Sequence, residues 1–209
     1  MSLLHSGWGM HLADFDNDGR KDLLIGQAHV MDNIELNFPH LRYKESPLIA
    51  RNVGKDFEDV STTAGEVFQR HFVARGMAVG DIDNDGRIDA VINSHDGGLY
   101  VLHNVSTNTN HWLTLKLEGH ASNRDGIGAQ IKLTSAGGAT QWITVNTTGS
   151  YLSASDRRAH FGLGNDSTAK EIDIRWPSGI VQKLENVRAD QTLAIEEPAR
   201  KSDSVSAAQ

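Results

Sequence analysis

The stretch DIDNDGRID, residues 81–89, has the most specific pattern in the chain. It is followed directly by the apolar run Ala90-Val91-Ile92. It places aspartates at positions 1, 3, 5 and 9, and a glycine at position 6 lets the backbone turn so that their oxygens converge. Carboxylates held close together repel one another unless a cation lies between them. The spacing therefore predicts a site for a hard cation, and Ca2+ suits such oxygen ligands best.

The same nonapeptide occurs earlier in the chain, as DFDNDGRKD at residues 14–22. The approaches also match, with Gly9-Met10 before the first copy and Gly76-Met77 before the second. Such an internal repeat indicates one supersecondary unit that is used twice. Two Ca2+ sites are therefore predicted. Their ligands are the four aspartates and the main-chain carbonyl of position 7, namely Asp14, Asp16, Asp18, Arg20 and Asp22 in one site and Asp81, Asp83, Asp85, Arg87 and Asp89 in the other.

The EF-hand is the obvious competing interpretation, since its loop also begins D-x-D-x-D-G. That loop requires a bidentate glutamate at position 12 and a helix on each side. Position 12 is Ile25 in one copy and Ile92 in the other, so the EF-hand is excluded. Aliphatic residues flank each loop, which predicts that each loop joins two antiparallel strands.

A calcium loop inside such a unit resembles the FG-GAP (VCBS-type) repeat of integrin α-subunit propellers and of many secreted bacterial proteins. The resemblance covers residues 7 to about 104, and the hairpin signal LIARNVGKDFEDV at 48–60 is similar to an element that precedes the loop in that family. It implies that each repeat is one four-stranded blade of a β-propeller. Two blades do not close a propeller, so we expect them to pack on the rest of the chain, on missing blades or on another copy.

The second half of the chain has a different pattern, which follows a polar run at 105–110. Apolar and polar residues alternate at 113–118, 129–134 and 172–176, with turn signals such as Ala136-Gly137-Gly138 between such runs. Period-2 alternation of this kind is typical of strands with one buried and one wet face. It predicts a small β-sandwich or curled sheet.

This half also resembles a family, the ASPIC/UnbV domain that follows FG-GAP repeats in cartilage acidic protein and its bacterial relatives. The matching segments are HWL (111–113), SNRDGIGA (122–129), GSYLS (149–153), HFGLG (160–164), RWPSG (175–179) and QTL (191–193). Together the two resemblances imply an all-β protein with a partial β-propeller of about two FG-GAP blades followed by a small β-sandwich-like domain. The expected division is a repeat region at 1–104, an ASPIC/UnbV domain at 111–197 and a disordered tail at 198–209.

Other candidates for chemistry carry weaker signals. Ser150, Asp156 and His160 are the residue types of a nucleophilic triad, but no Gly-x-Ser-x-Gly elbow is present and structural roles are expected for them. The segment 123–126 is interpreted as a hairpin tip rather than as a third acidic site. The tryptophans at 112, 142 and 176 are expected mainly in cores, with stacking on a sugar ring as the alternative. No catalytic residue is predicted, and the chain is not expected to be an enzyme.

Composition limits the remaining classes of function. The formal net charge is −7, which disfavours a nucleic-acid partner. The chain has no cysteine, which excludes disulfides and thiolate metal sites. No apolar run is long enough to span a membrane. No signal-peptide pattern is present and the chain opens almost directly on a repeat, so it is expected to be the C-terminal part of a larger, extracytoplasmic or secreted protein.

The expected function is a non-catalytic, calcium-binding module for adhesion or for binding an unidentified protein or glycan ligand. The alternative is an accessory region of a larger enzyme that acts on polysaccharide or in secondary-metabolite biosynthesis.

Overall fold

The computed structural model describes residues 5–199 and confirms an all-β chain with several sheets and no closed barrel. The repeat region contains strands β1 (Gly7–Ala13), β2 (Asp22–Gln27), β3 (Leu48–Asn52), β4 (Phe57–Asp59), β5 (Ala74–Gly80), β6 (Asp89–Ser94) and β7 (Leu99–Leu102). Its helical turns are α1 (Ile34–Asn37), inside the connection after β2, and a 3-10 turn (Glu66–Gln69). No helix among the described residues is long and apolar enough to cross a membrane.

The first repeat is an antiparallel sheet in the order β1-β2-β3-β4, and the second is a sheet in the order β5-β6-β7. Each acidic nonapeptide joins two antiparallel strands, β1 to β2 in the first repeat and β5 to β6 in the second, as the sequence predicts. Within residues 5–199, only the first repeat has the four strands that the resemblance implies. After β7 the chain leaves the second sheet and forms the first strand of the other half. The second sheet therefore has no fourth strand beside β7 among the described residues.

The two repeats have matching registers. Leu23, the residue after the first loop, pairs with Ala50 of β3, and Ala90, the residue after the second, pairs with Leu102 of β7. Strand β7 is therefore the counterpart of β3. The sheets pack face to face with β1 beside β5, and a Cβ on Gly9 would come within 2.6 Å of the Met77 Cβ. Their shared core is Leu24, Phe68, Phe72, Ala74, Met77, Ala90 and Ile92.

The second half contains β8 (His111–Glu118), β9 (Gln130–Ser135), β10 (Thr140–Thr144), β11 (Ala159–Gly164), β12 (Thr168–Arg175), β13 (Val181–Arg188) and β14 (Gln191–Glu196). These strands form two sheets, in the orders β10-β9-β12-β13 and β11-β8-β14. Strand β14 runs parallel to β8. Side chains of both sheets share one apolar core, which includes Leu113, Leu115, Ile131, Leu133, Phe161, Ile172, Ile174 and Trp176.

The polar run 105–110 connects the two halves without forming a strand. Strand β8 begins at His111 and pairs with β11 and β14, so it belongs to the second half. The tail predicted at 198–209 lies outside the described residues from position 200 onwards.

Candidate metal centres

The two acidic loops have the same backbone conformation. Asn17 and Asn84, at position 4, have φ values of 59° and 62°, and Gly19 and Gly86, at position 6, have φ values of 88° and 85°. The left-handed region is costly for most residues but accessible to asparagine and glycine. The repeated Asn-Asp-Gly therefore explains why both loops turn in the same way.

The position 1 aspartates hold each loop closed from inside. Asp14 accepts hydrogen bonds from the backbone N–H groups of positions 5 and 6 of its loop, at 3.0 and 2.8 Å. Asp81 accepts the equivalent pair at 3.1 and 3.0 Å. Both residues are buried. These bonds satisfy part of each carboxylate and fix its orientation toward the loop centre.

The position 9 aspartates tie each loop to a third strand. Asp22 accepts from the N–H of Phe15 at 3.0 Å and of Asn52 at 2.8 Å. Asp89 accepts from the N–H of Ile82 at 2.9 Å and of Asn104 at 2.8 Å. The side chains of the two asparagines also donate to the carbonyl of position 8 in their own repeat, each at 3.1 Å. The unit that is repeated thus includes an asparagine at the end of β3 and just after β7, which the sequence interpretation missed.

Carboxylate oxygens converge in both loops. Ligand atoms of Asp14, Asp16 and Asp18 lie within 4.8 Å of one another in the first loop, and those of Asp81, Asp83 and Asp89 do so in the second. A third group joins Asp83, Asp85 and His103, with the His103 Nε2 3.0 Å from an oxygen of Asp83. Each loop therefore brings three of its four predicted carboxylates together.

The position 7 arginines contribute side chains that the sequence interpretation did not use. The guanidinium of Arg20 binds the carboxylate of Asp18, and that of Arg87 binds the carboxylate of Asp85. Each Nε also donates to a main-chain carbonyl. The acceptor is the carbonyl of Asn52 at 3.0 Å in the first repeat and that of the equivalent asparagine, just after β7, at 2.8 Å in the second. The role of the arginine carbonyls as ligands stays a prediction.

The electrostatics of the first loop favour a cation. Burial, followed by the charges of its neighbouring aspartates, raises the pKa of Asp14 to about 7, although the N–H of Gly19 acts in the opposite direction. Burial also raises the pKa of Asp22 to about 6. The pKa values of Asp16 and Asp81 are raised by burial as well. An ion among these oxygens would relieve the cost of ionising them.

The second half of the chain contacts both loops through their position 4 asparagines. Asn17 Oδ1 lies 2.7 Å from His160 Nε2, and its carbonyl accepts from the N–H of Gly164 at 2.8 Å. Arg158 donates through Nη1 to Asn84 Oδ1 and through Nη2 to the Asp81 carbonyl, both at 2.6 Å. Two residues that are two positions apart, 158 and 160, thus contact one loop each.

Glycines allow this close approach. A Cβ on Gly162 would lie 2.0 Å from Asp14 Oδ2, and one on Gly86 would lie 1.9 Å from the ring of Trp112. The loops also contact each other, because Asn17 Nδ2 donates to the Gly86 carbonyl at 2.9 Å. Both candidate metal centres therefore lie in the interface between the two halves.

Comparison with known families identifies the second half. Residues 119–202 match the family model described as ASPIC and UnbV. The chain contains an ASPIC/UnbV domain. The match begins directly after β8, although β8 is part of the same sandwich. It does not extend over the two repeats, so their FG-GAP resemblance stays a prediction, and no curated protein was found to match the chain.

Within the ASPIC/UnbV domain, distant segments meet at Glu197, which is buried with 2% of its surface exposed. Its carboxylate accepts from the N–H groups of His120, Ala121 and Ser122 at 2.8, 2.8 and 2.7 Å. The hydroxyls of Ser122 and Ser178 donate to it as well. Burial raises the pKa of this carboxyl, but these donors outweigh it and hold the pKa at about 2. Glu197 links the SNRDGIGA and RWPSG segments, and the sequence interpretation gave it no role.

Other segments of the ASPIC/UnbV resemblance face the repeats instead. In GSYLS, Ser150 Oγ accepts from the N–H of Met10, and the rings of Tyr151 and Trp8 meet edge to face at 4.9 Å. Ser155, just beyond it, accepts from the N–H of Val79 at 3.0 Å. These contacts extend the interface along β1 and β5.

The residue types of a triad are not assembled. His160 bonds Thr114 Oγ1 at 2.8 Å and Asn17, whereas the carboxylate of Asp156 accepts from Arg158. The three tryptophans also separate, since Trp176 is buried, Trp112 lies against Gly86, and Trp142 is 66% exposed on β10. They form no aromatic strip.

Proposed function

We propose that this chain is a calcium-dependent, non-catalytic binding module that holds two Ca2+ ions and forms part of a larger extracytoplasmic protein. The observation that carries the proposal is the convergence of aspartate oxygens within 4.8 Å in two loops that share the same conformation and the same internal hydrogen bonds. Three carboxylates this close together repel one another unless a cation lies between them, and this arrangement occurs twice.

The two ions are assigned a structural role at the interface. Each would neutralise a loop whose position 4 asparagine contacts the ASPIC/UnbV domain through His160 or Arg158. Calcium would then stabilise both the repeat and its contact with that domain. The ligand, a protein or a glycan, would bind to a surface that these fixed loops hold in shape. Extracellular calcium modules bind with dissociation constants of about 10⁻⁴ to 10⁻³ M.

Calcium titration calorimetry on chelator-treated protein tests this proposal. We expect two sites and a Tm that rises with calcium concentration by mass action. The double variant Asp16→Asn/Asp83→Asn removes the negative charge of position 3 from each loop and leaves the position 1 and position 9 hydrogen bonds in place. It should weaken calcium binding at least about 10-fold.

Asp125→Asn is the matched control, because it removes an exposed aspartate outside the loops that pairs with Arg157. It should bind calcium like the wild type. If calcium gives no binding heat and the Tm is the same in calcium and in chelator, the proposal is wrong.

A further inference from the structure

The outer edge of β7 is unpaired among residues 5–199. Strand β7 ends its sheet, which has the order β5-β6-β7, and no isolated bridge involves it. Exposed edges offer unpaired N–H and C=O groups to other strands. Two of its residues, Leu99 and Val101, are also 65% and 60% exposed.

The first repeat shows which element belongs at this edge. Strand β4 pairs antiparallel with β3, so that Ala50 faces Asp59 and Asn52 faces Phe57. Strands β3 and β7 have the same register on their inner neighbours. The position that β4 occupies beside β3 in the first repeat is therefore vacant beside β7 in the second. The chain therefore contains its own example of a strand bound at this edge.

Hydrogen-bond alternation identifies the free groups. In the first repeat, Ile49 directs its backbone outward, accepting from the N–H of Val60 at 3.0 Å and donating to Ser61 Oγ at 3.0 Å. In the second repeat, the N–H of Ser94 donates to the Gly98 carbonyl at 2.8 Å. Every second residue after Gly98 faces β6, so the residues between them, which include Val101, direct their backbone groups away from the sheet.

A cleft of about 580 Å3 lies beside the same edge, between the two repeat sheets. Its walls are mainly apolar and include Phe15, Leu24, Ile49, Phe68, Ala90 and Leu102. A strand placed beside β7 would direct every second side chain toward this cleft. The unpaired edge and the open cleft therefore lie next to each other.

We propose that β7 binds an extended segment of a partner polypeptide as a fourth, antiparallel strand of the second repeat. The segment carries aliphatic or aromatic side chains at alternate positions, which fill the cleft, while its backbone pairs with the outward groups of β7. Recognition is therefore by backbone hydrogen bonds with side-chain selection at every second position. The proposal does not depend on bound calcium.

The test is an NMR titration of the full chain with a synthetic peptide of alternating threonine and valine, up to about 1 mM. We expect saturable shifts and slowed exchange of the Leu99, Val101 and His103 amides. The same peptide with its central residue replaced by proline is the matched control. It lacks an N–H and should bind at least about 10-fold more weakly.

Protein variants complete the test. Val101→Pro removes an outward N–H and should lower peptide affinity at least about 10-fold, whereas Val181→Pro, at an exposed valine of edge strand β13, should not. The peptide pair gives a result even if Val101→Pro fails to fold.

Absence of shifts on β7, or equal binding of the two peptides, would overturn the proposal. The same applies if the protein alone forms a dimer whose β7 amides are protected, because the occupant would then be a second copy.

Discussion

Buried carboxylates in the two halves of the molecule have opposite electrostatic properties. Glu197 is 2% exposed, receives hydrogen bonds from three backbone N–H groups and two hydroxyls, and has a pKa of about 2. Asp14 is 5% exposed, receives two backbone N–H groups, lies among other aspartates, and has a pKa of about 7. Burial is similar, but the neighbours differ.

The comparison shows that the partners of a carboxylate decide whether it ionises in the interior. Around Glu197 the chain supplies enough donors to keep the charged form. Around Asp14 it supplies further negative groups, so the charged form lacks a compensating positive charge. This asymmetry supports our proposal that the partner of the loops is an ion from solution.

The largest expected effect is on the second half. Glu197→Gln replaces a fully bonded carboxylate with an amide that presents an N–H group to some of the same donors. We expect a loss of about 4 kcal/mol in the free energy of unfolding, equal in calcium and in chelator, measured by urea denaturation. Glu196→Gln, at the exposed neighbouring position, is the control and should change stability little. A small effect of Glu197→Gln would show that its donors are satisfied without the charge.

A pH series sharpens the contrast. Without calcium, the raised pKa of Asp14 contributes stability below about pH 4, which is lost as pH rises through about 7. Calcium requires the ionised form, so Asp14 should increase the stabilisation that calcium provides by about 3 kcal/mol between about pH 5 and 7. Asp22 of the same loop, whose pKa is raised to about 6, should add to this increase. The difference between urea denaturation in calcium and in chelator measures it.

Taking that difference removes groups that titrate equally in both conditions. His160, whose pKa burial lowers to about 4, stays neutral across this pH range. Glu197 titrates only at lower pH. Calcium stabilisation that is independent of pH would mean that Asp14 is already ionised in the metal-free protein.

The smallest effect tests how the halves are joined. Gly19→Ala and Gly86→Ala place a Cβ at equivalent positive φ values, which costs about 1 kcal/mol in each case. Only the second also collides with Trp112; the nearest atom to a Cβ at Gly19 is 3.5 Å away. We expect Gly86→Ala to cost about 2 kcal/mol more, and the difference to disappear in a Trp112→Ala background. Equal losses in the wild-type background would show that Trp112 yields without cost.

Sequence alone predicted the elements that depend on local pattern. The two loops, their flanking antiparallel strands and the alternating strands of the second half follow from spacing and period, and the structure has them. The asparagines at position 4, Asn17 and Asn84, could have been noticed, because both copies carry them. Their partners could not, since His160 and Arg158 lie far along the chain.

Other features depended on contacts between distant segments. Glu197 sits among charged residues near the chain end, and no local pattern distinguishes it from Glu196. The vacant edge of β7 follows from where the chain goes after the second repeat, which propensity does not encode. Trp142 lies in β10 and Trp176 directly follows β12, and only the arrangement of the sheets decides which of them is buried.

The parallel pairing of β14 with β8 has a kinetic consequence. Gln191 pairs with Leu113, so the first and last strands of the second half must meet before its β11-β8-β14 sheet is complete. The hairpins of the repeats close over much shorter separations, and such local contacts form faster. During synthesis, the repeats can acquire their strands while the domain that contacts their loops still lacks its final one. The interface between the halves is therefore expected to be the last part of the molecule to form.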